Sequence, residues 1–264
     1  MFRKYFYYLI KIQFLGYRFH GWQKQPKTKT VHSEIDRTLR YILKDHKFKT
    51  LAAGRTDAKV SANFFALELF LENQPLDNNK LFMDDFNNNL PQDIRVMSVE
   101  EVSSDFNIIK DCKMKEYHYL FSSGQKSHPF SAPFISTFKE ELNLNLMKKG
   151  AGLFQGEHNF KAYCYKPKDN GLYFRKIEKA KIIKNNIYKA NFFPKNSYIF
   201  KVVGKGFGRH QIRLMMGVLV KLGRGEINLT SISESLKVDS NYSEEYIAPA
   251  SGLILHSISF QGEF

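Results

Sequence analysis

A short polar turn between two strand-like runs is the feature that most constrains this chain. Residues 49–53 lead into the turn, which carries Gly54, Arg55 and Asp57, and apolar residues then alternate strictly at 65–71. Alternation with a period of two predicts a half-buried strand. A strand, a tight turn and a second strand can present one carboxylate at the mouth of a cleft. Because Gly and Asp are also common turn residues, a capping role for Asp57 stays open beside a catalytic one.

The other apolar patterns predict a mixture of strands and helices without tandem repeats. Helical spacing predicts helices at residues 31–43, 78–89, 142–154, and one that opens within the glycine-rich residues 204–213. Strands are predicted at residues 5–15, 94–102, 113–121, 172–191 and 198–203, and a further strand closes the tail at 248–260. In the helix at 78–89, we expect Leu81, Phe82 and Phe86 to face inward. Trp22 follows a glycine, which suits either a core position or stacking on a base.

Strands outnumber helices, which indicates an α+β fold with a large mixed or antiparallel sheet. The loop at residues 124–133 is rich in Ser and Pro and is the expected crossing between two halves. We expect residues 1–124 to form an N-terminal α+β half that holds the Asp57 turn. Residues 125–264 are expected to form a second α+β half with a basic helix start and the closing strand.

The charge balance indicates a polyanionic partner. The 264 residues include 40 Lys and Arg against 26 Asp and Glu, a formal net charge of +14. Nucleic acid is the commonest partner of such a chain, although a membrane surface or a basic protein adapted for other reasons would also fit. No run approaches the roughly 20 apolar residues of a spanning helix, and no signal-peptide pattern occurs at the start. We therefore expect a cytoplasmic protein without a membrane partner.

Metal and nucleophile motifs are missing from the sequence. The two cysteines, Cys112 and Cys164, show no zinc-like spacing, and the eight histidines form no HExxH pattern. Paired acids such as Asp84 and Asp85 are adjacent and diverge on a helix or a strand, which argues against a two-metal nuclease. We expect no structural metal and a reducing compartment.

The glycine-rich residues 204–208 do not form a phosphate loop, because neither the Walker nor the dinucleotide spacing is present. They precede Arg209 and Arg213, which we expect one turn apart on one helix face. A helix start with two arginines could bind a phosphate, pair with a carboxylate, or be an ordinary exposed basic end.

Six segments in one order make the chain similar to the TruA family of tRNA pseudouridine synthases over nearly its whole length. They are GWQKQP at 21–26, GRTDA at 54–58, KEYHY at 115–119, GEHNF at 156–160, FGRHQIR at 207–213 and APASGLIL at 248–255. The resemblance implies a pseudouridine synthase fold in which two α+β halves share a large sheet with a central basic cleft.

The same resemblance implies an isomerase that converts uridine to pseudouridine on the 3′ side of the anticodon stem-loop, at tRNA positions 38–40, after flipping the base. Asp57 is then the catalytic carboxylate, which attacks the ribose or the base or assists glycosidic cleavage. Arg55 would displace the base, Tyr117 would stack on the uracil and could take part in removing the C5 proton, and Arg213 would pair with Asp57 and keep it ionised.

The remaining implications concern partners. Basic residues expected at the RNA surface are Lys59, Lys115, Lys205 and Arg209. The resemblance implies a homodimer that binds tRNA and needs no metal, ATP or redox cofactor, because the energy comes from the substrate itself.

Several positions depart from the family pattern. Leu15 stands where the family usually has Asp, and Lys59 and Ser61 stand where it has Gly and His; Asn107 and Leu214 depart as well. None of these replaces Asp57, Tyr117 or Arg213, so the activity is expected to persist while the target uridine or RNA could differ. A non-catalytic RNA-binding protein on the same fold, and a DNA-binding protein or nuclease, remain the alternatives.

Overall fold

The computed structural model describes residues 4–44, 46–168 and 171–260. Ten strands and five α-helices follow one another along these residues. In chain order they are β1 Tyr5–Phe14, α1 Val31–Leu43, β2 Phe48–Ala52, β3 Ser61–Glu72, α2 Asn79–Asn89, β4 Ile94–Val102, β5 Cys112–Ser123, β6 Ser136–Phe138, α3 Leu144–Gly152, β7 Gly156–Asn159, β8 Phe174–Lys184, β9 Ser197–Gly204, α4 Gln211–Gly223, α5 Leu229–Ser235 and β10 Leu253–Phe260. Among the described residues, no helix has the length and apolar character needed to cross a membrane.

The chain forms two compact units. The second is Met114–Ile254, and the first contains the described residues before and after it. In the first unit the strand order is β4-β1-β3-β10, and β2 also pairs with β3. In the second unit the order is β5-β9-β8-β7, and β6 adds to β5 in parallel while β9 pairs with β5 antiparallel. The predicted α+β class with mixed strand pairing is confirmed.

In the first unit, β3 is the most buried strand. The alternating pattern predicts burial on one face only, but Ala66 and Glu68 are buried as completely as Phe65 and Leu67. A segment distant in sequence covers the second face, because Ile108 is fully buried and its N–H donates to Glu68 Oε2 over 3.3 Å. Burial raises the pKa of the Glu68 carboxyl. The half-buried prediction was therefore wrong.

Trp22 occupies the core of the first unit. Its ring stacks on Phe65 of β3 at 4.2 Å and on His32 of α1 at 5.1 Å, and only 2% of its surface is exposed. The helix it contacts begins where the sequence predicts, since the Thr30 hydroxyl accepts from the Ser33 N–H and caps α1. The core interpretation of Trp22 is confirmed, and the indole joins α1 to the sheet.

Helix α2 is predicted correctly, but one of its inward positions is wrong. Phe86 is fully buried and lies 5.6 Å from the Phe82 ring, one turn earlier, whereas Leu81 is 67% exposed. Residues 81 and 86 are five positions apart, about 140° around a helix, so they cannot share a narrow face. An apolar residue that is not three or four positions from the buried residues of its helix does not have to lie in the core.

This difference predicts the stability of two variants of the same helix. Phe86→Ala removes a fully buried ring and should lower the free energy of unfolding by about 3–5 kcal/mol, because a cavity is left. Leu81→Ala should change it by less than about 0.5 kcal/mol. Urea unfolding followed by circular dichroism measures both, and equal effects from the two variants would contradict the assignment.

Candidate functional site

The turn that carries Asp57 is held by backbone hydrogen bonds from a loop far away in sequence. The Trp22 N–H donates to Thr56 O over 3.0 Å, and the Lys59 N–H donates to Phe19 O over 3.0 Å. A third bond, from the Val60 N–H to Asp57 O at 3.2 Å, closes the turn on itself. The residues on both sides of Asp57 are therefore fixed by the loop at 16–22.

Two glycines make this close approach possible. A Cβ on Gly16 would lie 1.9 Å from Val60 O, and a Cβ on Gly21 would lie 2.6 Å from Thr56 O. Gly21 also has a φ of +87°, which side-chain-bearing residues rarely adopt. The glycines of the first loop thus serve backbone packing against the Asp57 turn.

Side chains in the turn alternate between inside and outside. Thr56 is buried, whereas Arg55 is exposed and Asp57 is half-buried. Lys59 is exposed too, with its ammonium 5.7 Å from the Tyr17 ring centroid. The structure therefore brings the predicted Arg55, Asp57 and Lys59 together in one turn of the first unit, with the two cations on the solvent side.

The loop at 16–22 continues into an ion pair with α1. Asp36, a buried residue of α1, pairs with the Lys24 ammonium, and its Oδ1 accepts from the Thr50 hydroxyl at 3.0 Å. His32 Nε2 lies 3.5 Å from the same Oδ1. Burial would raise the pKa of the Asp36 carboxyl, but the hydrogen bonds of His32 and Lys24 outweigh it and lower that pKa to about 2. The sequence alone does not single out Asp36, because an acidic residue in a predicted helix is expected on the solvent-exposed face.

In the second unit, Tyr117 lies on β5 directly opposite Val202 of β9. Its half-buried ring meets the edge of Phe207 at 5.3 Å between centroids, with the planes at 83°. Lys115 is opposite Gly204, the residue before Lys205. The strand pairing therefore places the predicted Lys115 beside the glycine-rich segment that precedes α4.

Arg213 is held by the segment that follows α5. Its Nε donates to Ala248 O over 2.8 Å, and its own carbonyl accepts from the Ala248 N–H at 3.2 Å. Gly217, one turn further along α4, allows the same segment to lie against the helix, since a Cβ there would be 1.9 Å from Tyr246 O. Ala248 therefore holds both the backbone carbonyl of Arg213 and the Nε of its side chain.

Tyr119 completes the attachment of this segment to β5. The fully buried phenol donates to Pro249 O over 2.7 Å and lies 2.9 Å from Ser136 Oγ, which accepts from the Gly252 N–H at 3.1 Å. Burial raises the pKa of the Tyr119 phenol, so it remains a neutral donor. The sequence signal that could have drawn attention to Tyr119 is its place in the KEYHY segment, two residues after Tyr117.

The predicted pairing of Arg209 and Arg213 on one helix face is wrong. α4 begins at Gln211, and its N-cap His210 has a φ of 59°, which turns the chain before the helix starts. Arg209 therefore lies outside the helix, with its guanidinium 4.9 Å from the centroid of the Tyr165 ring. Tyr165 also stacks on His210 at 4.8 Å. No sequence pattern identified Tyr165, which lies in an irregular loop.

Comparisons with known proteins agree over the length of the chain. A family model described as tRNA pseudouridine synthase matches residues 151–261. A relative from Mesoplasma florum named tRNA pseudouridine synthase A is 33% identical over 262 residues, covering 97% of this chain and 99% of the relative. Proteins of the same name from Thermosipho melanesiensis and Oenococcus oeni are 32% and 30% identical, each covering 96% of this chain and 99% and 98% of their own lengths.

The backbone of Lys59 generates a stability prediction. Its φ of 66° costs roughly 1 kcal/mol for a residue with a Cβ, so Lys59→Gly should raise the free energy of unfolding by about 0.5–1 kcal/mol. Lys59→Ala keeps the strain and should bring no such gain. Urea unfolding of the three proteins measures this, and a Gly variant no more stable than the Ala variant would contradict it.

The Asp36 ion pair generates a pH prediction. Because the folded pKa is about 2 and the usual value is 3.8, the carboxylate stabilises the fold above pH 4 and loses that contribution as pH falls towards 2. Asp36→Asn should therefore cost about 2 kcal/mol at neutral pH and progressively less below about pH 4. Urea unfolding across this pH range, with the exposed Asp84→Asn as control, measures the difference in free energy of unfolding between wild type and Asp36→Asn. A difference that stays constant with pH would contradict the prediction.

Proposed function

Because the chain belongs to the tRNA pseudouridine synthase A family and is thus an isomerase acting on uridine in tRNA, we propose that it modifies uridines on the 3′ side of the anticodon stem-loop, with Asp57 as the catalytic carboxylate. The observation that supports the assignment of Asp57 is its turn, which the loop at 16–22 fixes through two backbone hydrogen bonds and two close contacts that only glycine permits. A reacting group must be held within a fraction of an ångström, and the backbone hydrogen bonds on both sides of Asp57 support that role.

The reaction exchanges one bond for another within the substrate. The bond from ribose C1′ to uracil N1 breaks, the base turns, and a bond from C1′ to C5 forms; C5 loses a proton and N1 gains one. The atoms balance without an oxidant, a nucleotide or a second substrate. Asp57 attacks the ribose or the base, or assists the cleavage, and attack requires the ionised carboxylate.

We assign the other residues the roles that the family resemblance implies. Tyr117 stacks on the uracil and takes part in removal of the C5 proton; the contact of its ring with Phe207 supports a fixed orientation of the phenol. Arg213 is the cationic partner of the catalytic carboxylate, and its bond to Ala248 O supports a guanidinium in a fixed place. Arg55, which is exposed beside Asp57, displaces the base.

The RNA backbone is bound through the basic surface. Lys59, Lys205 and Arg209 are exposed and Lys115 is half-buried, as phosphate contacts require. Binding of this kind weakens steeply as salt is raised, because each neutralised phosphate releases counterions. From the family resemblance we also propose a homodimer in the cytoplasm.

Conversion of uridine to pseudouridine, mapped by position on tRNA transcripts in the presence of a chelator, tests this proposal. Wild type should convert uridines of the anticodon arm, and Asp57→Asn should be slower by roughly 10³-fold or more, because the amide can neither attack nor accept a proton. The exposed Asp84→Asn is the matched control and should keep wild-type activity.

Each alternative result has a distinct meaning. Conversion elsewhere in the tRNA would overturn the target position and leave the chemistry in place. Full activity of Asp57→Asn would overturn the assignment of the carboxylate. Tight tRNA binding by a wild-type protein that converts no uridine in any RNA would support a non-catalytic RNA-binding role, and metal-dependent strand cleavage would support a nuclease.

A further inference from the structure

Three aromatic side chains lie together on two loops of the second unit, and we name them the Phe130 patch: His128 and Phe130, which are exposed, and Phe192, which is half-buried. Phe130 is 70% exposed, its ring lies 5.0 Å from His128, and Phe192 lies 6.1 Å from Phe130 and 6.3 Å from His128. A phenylalanine this exposed leaves apolar surface in water, and a partner that covers it gains the free energy of burying that surface. None of the three residues belongs to the site described above.

The patch is built on the core beneath it. Phe193, the neighbour of Phe192, lies 5.8 Å from Phe134, and both pack on the buried Ile135 and the residues around it. His128 is fixed as well, because its Nδ1 accepts from the Phe130 N–H at 3.2 Å and its carbonyl accepts from the Ser131 hydroxyl at 2.7 Å. The aromatic faces are therefore held in place before any partner arrives, which reduces the entropic cost of binding.

The charge around the patch favours an anion. No Asp or Glu occurs in residues 117–139, which include the first loop, or in residues 179–225, which include the second. The same loops carry the exposed Lys126, Lys189 and Lys195. Aromatic rings on loops that carry exposed lysines and no acid of their own match the way proteins bind single-stranded nucleic acid, where bases stack on rings and cations follow the backbone.

The patch lies on a loop that leaves β5 some distance from Tyr117. Its first loop leaves the end of β5, where Ser127 Oγ lies 2.9 Å from Ser122 Oγ. Ser122 is five residues along the strand from Tyr117, a separation of roughly 15–20 Å at 3.3 Å per residue. A partner that has one nucleotide at Tyr117 and others at the patch must be extended on that scale, as a folded RNA is.

We propose that the Phe130 patch is a second RNA contact, on which unpaired bases of the tRNA stack while their phosphates meet Lys126, Lys189 and Lys195. The proposal rests on the proposed function and deepens it: the patch contributes to tRNA affinity and carries no step of the isomerisation. Binding and turnover therefore test the two separately.

Equilibrium binding of full-length protein to a tRNA transcript, at one stated salt concentration, is the first measurement. Phe130→Ala should raise the Kd by roughly 5- to 50-fold, and Phe130→Trp should keep or lower it, because stacking on a base survives. Tyr41→Ala is the matched control, since Tyr41 is an aromatic residue that is 71% exposed on α1 of the first unit, and it should leave Kd unchanged. Circular dichroism melting confirms that each variant is folded.

Salt dependence and crosslinking identify what covers the patch. Lys195→Gln should reduce the slope of log Kd against log salt by about 1, which is the loss of one phosphate contact. Transcripts containing 4-thiouridine in their unpaired positions should photocrosslink to peptides that contain Phe130 or Phe192. In turnover, Phe130→Ala should raise KM and leave kcat at saturating tRNA unchanged.

Other outcomes separate the two proposals. An unchanged Kd for Phe130→Ala would overturn the RNA contact, and so would a loss of self-association without a change in Kd, which would make the patch an interface between copies of this chain. If Phe130→Ala weakens tRNA binding but wild type forms no pseudouridine, the patch stands and the proposed function fails. If wild type forms pseudouridine and Phe130→Ala binds tRNA normally, the proposed function stands and the RNA contact at the patch fails.

Discussion

The backbone contact between the loop at 16–22 and the Asp57 turn is the constraint on which the site in the first unit depends. Carbonyl oxygens of the turn occupy the space where side chains of Gly16 and Gly21 would be, and N–H groups on both sides of the contact are satisfied by it. The loop is in turn attached to α1 by the Lys24–Asp36 ion pair and to β3 by Trp22. The position of one carboxylate is thereby tied to the core of its unit.

In the second unit, side chains hold the segment that contacts Arg213. Arg213 and Tyr119 both donate to carbonyls of the segment at 248–249, and Ser136 binds Gly252 beyond it. The segment has no regular hydrogen-bonding pattern of its own, so these bonds satisfy its polar groups. The same segment orients the guanidinium of Arg213 and is itself held to β5 by Tyr119. Each unit thus fixes the surroundings of one residue of the proposed site, Asp57 in the first and Arg213 in the second.

Sequence motifs single out candidate residues but say little about what surrounds them. The family segments pointed to Asp57, Tyr117 and Arg213, and periodicity placed α1, α2 and most strands correctly. It did not show that Ile108 covers the second face of β3, that Leu81 is exposed, or that His210 turns Arg209 away from α4. The causes differ: burial of the second face of β3 depends on a distant segment, Leu81 lacks the helical spacing to Phe86, and the left-handed backbone of His210 starts α4 after Arg209.

By itself, the sequence determined the α+β class, the basic character that indicates a nucleic-acid partner, and the identity of the motif residues, because these follow from local spacing and composition. Only the tertiary structure decided which backbone atoms meet Gly16 and Gly21, how Ala248 engages Arg213, and that Phe130 and Phe192 meet in one aromatic patch. Residues 60 or more positions apart in the chain make the last of these contacts. Their meeting depends on packing over the whole unit, which local pattern does not encode.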